Sequence, residues 1–349
     1  MMKSNRLQQL LIPVLAVLLG MAAGSIVMLV SGYNPIAGFY ALVYGAFGDT
    51  YYIGETIRQT TPYILTGLAV AFAFRTGLFN IGVEGQLIVG WLAAVWVGVS
   101  FDLPKIIHLL LAILAAALAG ALWGLIPGVL KAYLKVHEVI ITIMMNYIAL
   151  HVTNAIIRSV LSDEGFKSKP VKESASLHSD FFDAITYHST MHYGIFIAVA
   201  AAFVMWFLLE RTTKGFELRA VGFNQHASQY AGMNVRANII LAMVISGAFA
   251  GVAGAMEGLG TFGNISTKAG FTGLGFDGIA VALIGGNNAF GILLSALLFG
   301  ALKVGALEMP SSAGVPTELV DIIIALIIFF VASSYMIRWL LSRWQKGAE

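Results

Sequence analysis

Cysteine is absent from all 349 residues, so disulfides, thiolate zinc sites and thiol catalysis are excluded. Charge is scarce as well. Only 11% of residues are Asp, Glu, Lys or Arg, against about 25% in soluble domains, and the net charge of +2 is too small to point to a nucleic-acid partner. No GxxxxGK[ST] loop is present, which excludes ATP binding in the Walker manner, and the seven histidines show no HExxH spacing. No Ser/His/Asp order rises above chance, so no enzyme activity, cofactor or metal ion is expected.

What the chain has instead is apolar length. It is 58% hydrophobic, in long runs parted by short polar stretches, which predicts an all-α polytopic membrane bundle in one domain over 1–349. Runs at 10–30, 61–74, 81–99, 106–130, 139–157, 193–209, 237–258, 290–304 and 319–340, with a broken segment at 277–285, predict about ten crossings with both termini inside. That topology puts 12 of the 20 Lys and Arg on the inner side (3, 6, 75, 131, 135, 211, 214, 219, 236, 338, 343 and 346) and leaves 8 outside. Three of the eight, Lys167, Lys169 and Lys172, fall in the long polar stretch 159–192, which by alternation is extracellular and too long to obey the charge rule. Residues 35–47 gather Ile36, Phe39, Tyr40, Val43, Tyr44 and Phe47 on one helical face and are expected to lie flat at the outer surface. Small residues recur as Gly120, Gly124 and Gly128 and again as Gly247, Gly251, Gly254 and Gly258, two faces suited to close helix packing.

The most informative stretch is polar: ERTTKGFELRAVGFNQHASQYAGMNVR at 210–236, set between two apolar runs and rich in Lys and Arg, hence cytoplasmic. Gly215, Gly222 and Gly232 bracket two segments of about two turns each, too short to cross a bilayer, and Asn224 is placed to cap the second. A loop built from rigid short helices is suited to pushing on a partner.

GFELRAVG at 215–222, followed by Asn224, Ala227, Tyr230, Ala231 and Gly232, resembles the cytoplasmic coupling loop of the branched-chain amino acid and sugar permease family of ABC importers. Within that family it is most similar to the nucleoside-uptake branch. FNIGVEGQ at 79–86 and HEVIITIMMNYIA from His137 share the likeness, which covers nearly the whole chain. The resemblance implies a type II-like permease, multi-pass in the cell membrane, whose coupling loop docks on a separate ATP-binding cassette subunit through Glu217, Arg219, Ala220, Gly222, Asn224, Ala227, Tyr230 and Gly232. It also implies a second, related permease forming a heterodimer, an extracellular substrate-binding lipoprotein, and nucleosides as cargo, with simple sugars second.

Inside the apolar runs, Glu84, Glu257, Asp277 and Asp321 each cost roughly 2.5 to 3.5 kcal/mol to insert and so require partners or water. Four intramembrane carboxylates also motivate an alternative, an ion-coupled secondary transporter. Glu84, Gln86, Thr142, Asn146, Ser246 and Asp277 are candidates for a translocation pathway, because a neutral polar solute needs amide and hydroxyl partners along its route. For each residue the competing use is structural: capping a helix start, as Asn80 and Glu84 are placed to do, or bonding between helices.

Overall fold

The computed structural model describes residues 2–162 and 165–333. The expected span at 319–340 is described only to Ser333. Arg338, Arg343 and Lys346 lie outside the described residues, as do Asp163 and Glu164 of the polar stretch and the side chains of Lys3 and Arg6.

Among the described residues every regular element is a helix: α1 (Met2–Val30), α2 (Pro35–Phe47), α3 (Thr50–Arg75), α4 (Val83–Ser100), α5 (Lys105–Leu134), α6 (Glu138–Ile156), α7 (Asp180–Ile185), α8 (Gly194–Arg211), α9 (Thr213–Phe223), α10 (Gln225–Tyr230), α11 (Val235–Ala255), α12 (Leu274–Ile284), α13 (Ala289–Ala306), α14 (Met309–Ala313) and α15 (Thr317–Ala332). A π-helical turn extends α6 to Leu161 and another extends α11 to Thr261. Among the described residues six helices are long and apolar enough to cross a membrane: α4, α5, α6 and α11 with their extensions, α8 and α13. At 1.5 Å per residue the 30 residues of α5 reach about 45 Å, more than the ~30 Å hydrocarbon core. The protein is therefore a multi-pass, all-α membrane bundle with at least six spanning helices.

The described residues form two compact units, one within residues 2–56 and 301–333, the other within 57–300. In the first, Gly20 of α1 lies so near α15 that a Cβ on it would sit 2.6 Å from the Ile327 Cα. Here α2 turns Gly38, Ala41, Leu42, Gly45 and Ala46 inward. Five of the six residues of the face read from the sequence, Ile36, Tyr40, Val43, Tyr44 and Phe47, stay exposed, and Phe39 is half-buried.

The second unit is centred on α4, α5 and α11, and here the two glycine faces meet each other. A Cβ on Gly120 would run into the Gly247 carbonyl oxygen, one on Gly251 into the Ala116 oxygen, and one on Gly124 into the Met243 oxygen. Without a water-driven hydrophobic force inside a bilayer, such backbone-to-backbone approach is what holds helices together. The stretch expected outside, 159–192, is joined to residues 259–265 at one end of this unit. Ser168 N donates to Ile265 O (2.8 Å), Val171 N to Gly263 O (2.8 Å) and Leu177 N to Leu259 O (2.9 Å). The long polar stretch is thus a folded cover and not a free loop.

Two boundaries differ from the sequence reading. Helix α3 starts at Thr50 and not near 61, because its polar first half is buried with internal partners: the Thr56 hydroxyl donates to Ala46 O (2.9 Å) and the Thr61 hydroxyl to Ile57 O (3.1 Å). Hydropathy reads such residues as solvent-facing. Gly215 and Gly222 do not end segments; both lie inside α9, and a Cβ on Gly215 would meet the Leu208 and Leu209 carbonyls.

Candidate functional site

Residues 212–232 fold into an elbow of two short helices. The Thr212 hydroxyl caps α9 by accepting from Gly215 N (2.9 Å). Asn224 ends α9 in an extended conformation (φ −159°, ψ 108°) and begins α10, its Oδ1 accepting from Ala227 N (3.0 Å). Gly232 (φ +83°) follows α10 in the left-handed conformation that glycine adopts most readily. One residue, Asn224, thus sets the angle between two rigid pieces.

The elbow has an inner and an outer side. On the inner side Glu210 bridges two arginines: Arg75 Nη2 at the end of α3 (2.5 Å) and Arg219 Nη1 on α9 (2.6 Å). Arg75 also donates to Asn287 O, in the turn between α12 and α13 (3.4 Å). Glu217 accepts from Lys214 Nζ (2.8 Å) and from Asn238 Nδ2 of α11 (3.1 Å), and these bonds, the lysine's first, hold its carboxyl below the usual range. Gly222 completes the inner side, since a Cβ there would sit 2.5 Å from the Arg75 oxygen and 2.9 Å from the Thr76 carbonyl carbon. Ala220 is half-buried on the same helix.

On the outer side Asn224, Ala227, Tyr230 and Gly232 are exposed. Tyr230 is 94% exposed and Phe223, which the sequence reading missed, 91%. Two nearly naked aromatic rings on a polar connector form the kind of anchor that protein interfaces use. The signal for Phe223 was there: a large apolar residue directly before an N-cap, in a segment too polar to enter a bilayer. Of the eight candidate coupling residues, Glu217, Arg219 and Gly222 therefore hold to the bundle, Ala220 is half-buried, and four are exposed.

The pathway candidates cluster in the second unit around the glycine-rich entry to α4. Asn80 does not cap that helix, whose first turn follows Gly82. Instead its Oδ1 accepts from Gly82 N (2.9 Å), and its Nδ2 donates to Gln86 Oε1 (2.9 Å) and Ser246 Oγ (2.8 Å). Ser246 in turn donates to Ala69 O (2.6 Å), which joins α11 to α3. Asn146 reaches from α6, accepting from Gly85 N (2.8 Å) and donating to Ile81 O (3.0 Å). The Thr142 hydroxyl donates to Glu138 O within its own helix (2.8 Å).

Glu84 is wholly buried, and its carboxylate turns to another helix. Oε1 accepts from Thr272 N (2.5 Å), the Thr272 hydroxyl (2.6 Å) and Gly273 N (3.2 Å), and Oε2 accepts from Gly275 N (2.7 Å). These groups open α12, an eleven-residue helix too short to span, so a carboxyl group from α4 caps its N-terminal end. Asp277, half-buried in the first turn of α12, accepts from the Tyr63 hydroxyl (3.0 Å). Glu257 is buried in the π-turn and accepts from the Thr261 hydroxyl (3.3 Å). Five of the six candidates, all but Asp277, are shut away from solvent and bonded to protein.

Comparison with known proteins fits this architecture. The family described as branched-chain amino acid transport system / permease component matches residues 52–332. A guanosine ABC transporter permease protein of Bacillus subtilis is 65% identical over 342 residues, 98% of each chain. A nucleoside ABC transporter permease protein of Lactococcus lactis is 39% identical over 97% of this chain and 95% of its own. A glucose ABC transporter permease protein of Haloferax volcanii is 33% identical over 92% of this chain and 87% of its own. The chain therefore belongs to the family of branched-chain amino acid transport system permease components, and it is a transport subunit and not an enzyme.

Proposed function

We propose that this chain is the nucleoside-translocating permease subunit of an ABC importer, driven by a separate ATPase that grips the 212–232 elbow from the cytoplasm. The observation that carries this reading is the two-sidedness of the elbow: Phe223 and Tyr230 project outward while Arg219 is tied to Glu210 of α8, Glu217 to α11 and Gly222 to the end of α3. A push on the outer rings reaches, through the Glu210 bridge and the Gly222 backbone contact, the same α3 and α11 that Ser246 ties together near mid-bundle. Cargo passes beside Glu84, Gln86, Thr142, Asn146, Ser246 and Asp277, whose internal hydrogen bonds are exchanged for bonds to base and ribose as the helices part.

The full reading has about ten crossings, both termini inside, 210–236 in the cytoplasm and 159–192 outside facing a substrate-binding lipoprotein. A second, related permease completes the pair. Nucleoside cargo is supported by the guanosine and nucleoside permeases that resemble this chain over nearly its whole length. The glucose permease, less similar, supports sugar as the second reading. Uptake of radiolabelled guanosine, other nucleosides and glucose into cells carrying the complex decides between them. Nucleoside uptake that disappears when the ATPase loses its Walker lysine is expected. Uptake of glucose alone, or uptake that ignores that lysine and collapses with an uncoupler, would refute the reading.

A further inference from the structure

Where α5 ends and α11 begins, the surface carries two adjoining cavities of unlike character. One, of about 680 Å³, is polar and basic: Lys131, Lys135, His226 and Arg236 line it, with Gln225 and Gln229 of α10. The other, of about 490 Å³, runs along the outside of α11 past Ile240, Leu241 and Val244, with Tyr133 on its flank. Asn234 and Arg236 border both, so the two make one groove that is cationic at its head and apolar along its length.

The charges are not balanced locally. Lys131 pairs with Glu138 (2.7 Å), but neither cavity has a carboxylate among its lining residues. Arg236 lies over the Tyr133 ring (5.3 Å), which orients the guanidinium without neutralising it. Lys135 follows α5 in the left-handed conformation (φ +54°), where glycine or asparagine costs less. A lysine held there against its backbone preference aims a charge at the head of the groove. The ends of a long apolar helix such as α5 lie at headgroup depth, and a basic pocket between spanning helices is suited to a lipid phosphate.

We propose that this groove is a binding site for one anionic phospholipid, its phosphate among Lys135, Arg236 and His226 and an acyl chain along Ile240, Leu241 and Val244. Gln225, His226 and Gln229 belong to the elbow, so the bound headgroup also steadies the angle of α10. The apolar length favours a lipid over an acidic protein segment, which would leave that half of the groove unfilled.

Native mass spectrometry of the purified full chain, titrated with phosphatidylglycerol or phosphatidylcholine, tests this. The first phosphatidylglycerol should bind at least tenfold more tightly than the first phosphatidylcholine. Removing both cations with Lys135→Asn and Arg236→Gln should weaken it about 25-fold, at roughly fivefold per charge, while leaving phosphatidylcholine unchanged. Asparagine tolerates the φ at 135, which keeps the variant folded. Val244→Trp, which fills the apolar length, should weaken the first binding of both lipids. Lys135→Arg with Arg236→Lys keeps the charges and should retain the preference whatever the melting temperature. Unchanged phosphatidylglycerol binding by the double neutral variant would overturn the site. Full displacement of the lipid by millimolar glycerol phosphate would make it a free-phosphate site. If the double neutral variant keeps its phosphatidylglycerol binding but, in the whole complex, loses the ATPase, the groove is a protein dock and the lipid site is overturned.

Discussion

Adding one methyl group to Gly222 is the sharpest perturbation the elbow offers. The nearest atoms to a new Cβ are all main chain: the Arg75 oxygen at 2.5 Å, the Thr76 carbonyl carbon at 2.9 Å and the Gly77 nitrogen at 3.0 Å. No flexible side chain can yield, and carbon contacts settle near 3.5 Å, so α9 must lift from the end of α3 by about 1 Å. Overpacking of this kind costs about 1 to 3 kcal/mol, which shifts the seated-to-lifted equilibrium of the elbow by roughly 5- to 150-fold. The outer rings keep their exposure, so the ATPase still docks and hydrolyses. In proteoliposomes, Gly222→Ala should therefore cut the cargo moved per ATP hydrolysed at least fivefold, with normal amounts of complex in the membrane. A wild-type ratio of uptake to hydrolysis would refute transmission through this contact.

Other outcomes follow from the same geometry. Phe223→Ala and Tyr230→Ala should each weaken co-purification of the ATPase by about 30-fold if they are interface anchors worth ~2 kcal/mol, with the melting temperature of the permease unchanged. Glu84→Gln leaves a donor facing the Gly275 N–H and takes one acceptor oxygen from the start of α12. It should lower the melting temperature by roughly 2 to 10 °C, and Glu84→Ala should lower it further. Glu217 has a depressed pKa, so its bonds to Lys214 and Asn238 contribute fully above its ordinary value of 4.5 and are lost as pH falls through the lower folded value. Coupling measured on the inner face should accordingly show no titration from this group between pH 6 and 8.

Much of this arrangement is legible in the sequence where the cause is local. The glycine faces at 120–128 and 247–258 repeat at helical spacing; Gly120 packs on Gly247 and Gly251, while Gly254 and Gly258 meet α4. Asn224 and Gly232 mark the limits of α10 because capping and left-handed φ are properties of single residues and their neighbours. What escapes is whatever depends on distant partners. Glu84 has the composition of a first-turn residue of α4, yet its four hydrogen bonds go to residues 272–275, and no local pattern marks them. Arg219 looks like a free basic residue of a cytoplasmic loop, but Glu210 turns it inward. The polar start of α3 defeats hydropathy because burial with partners is decided by packing.

Because the chain has no cysteine, a single one placed at exposed Gln229 reports without background. In intact cells holding the whole complex, Gln229→Cys should resist a membrane-impermeant maleimide added outside. In inverted vesicles it should react, and a short bifunctional reagent should join it to the ATPase. Labelling from outside intact cells would put the elbow on the wrong face and contradict its role as the ATPase's handle.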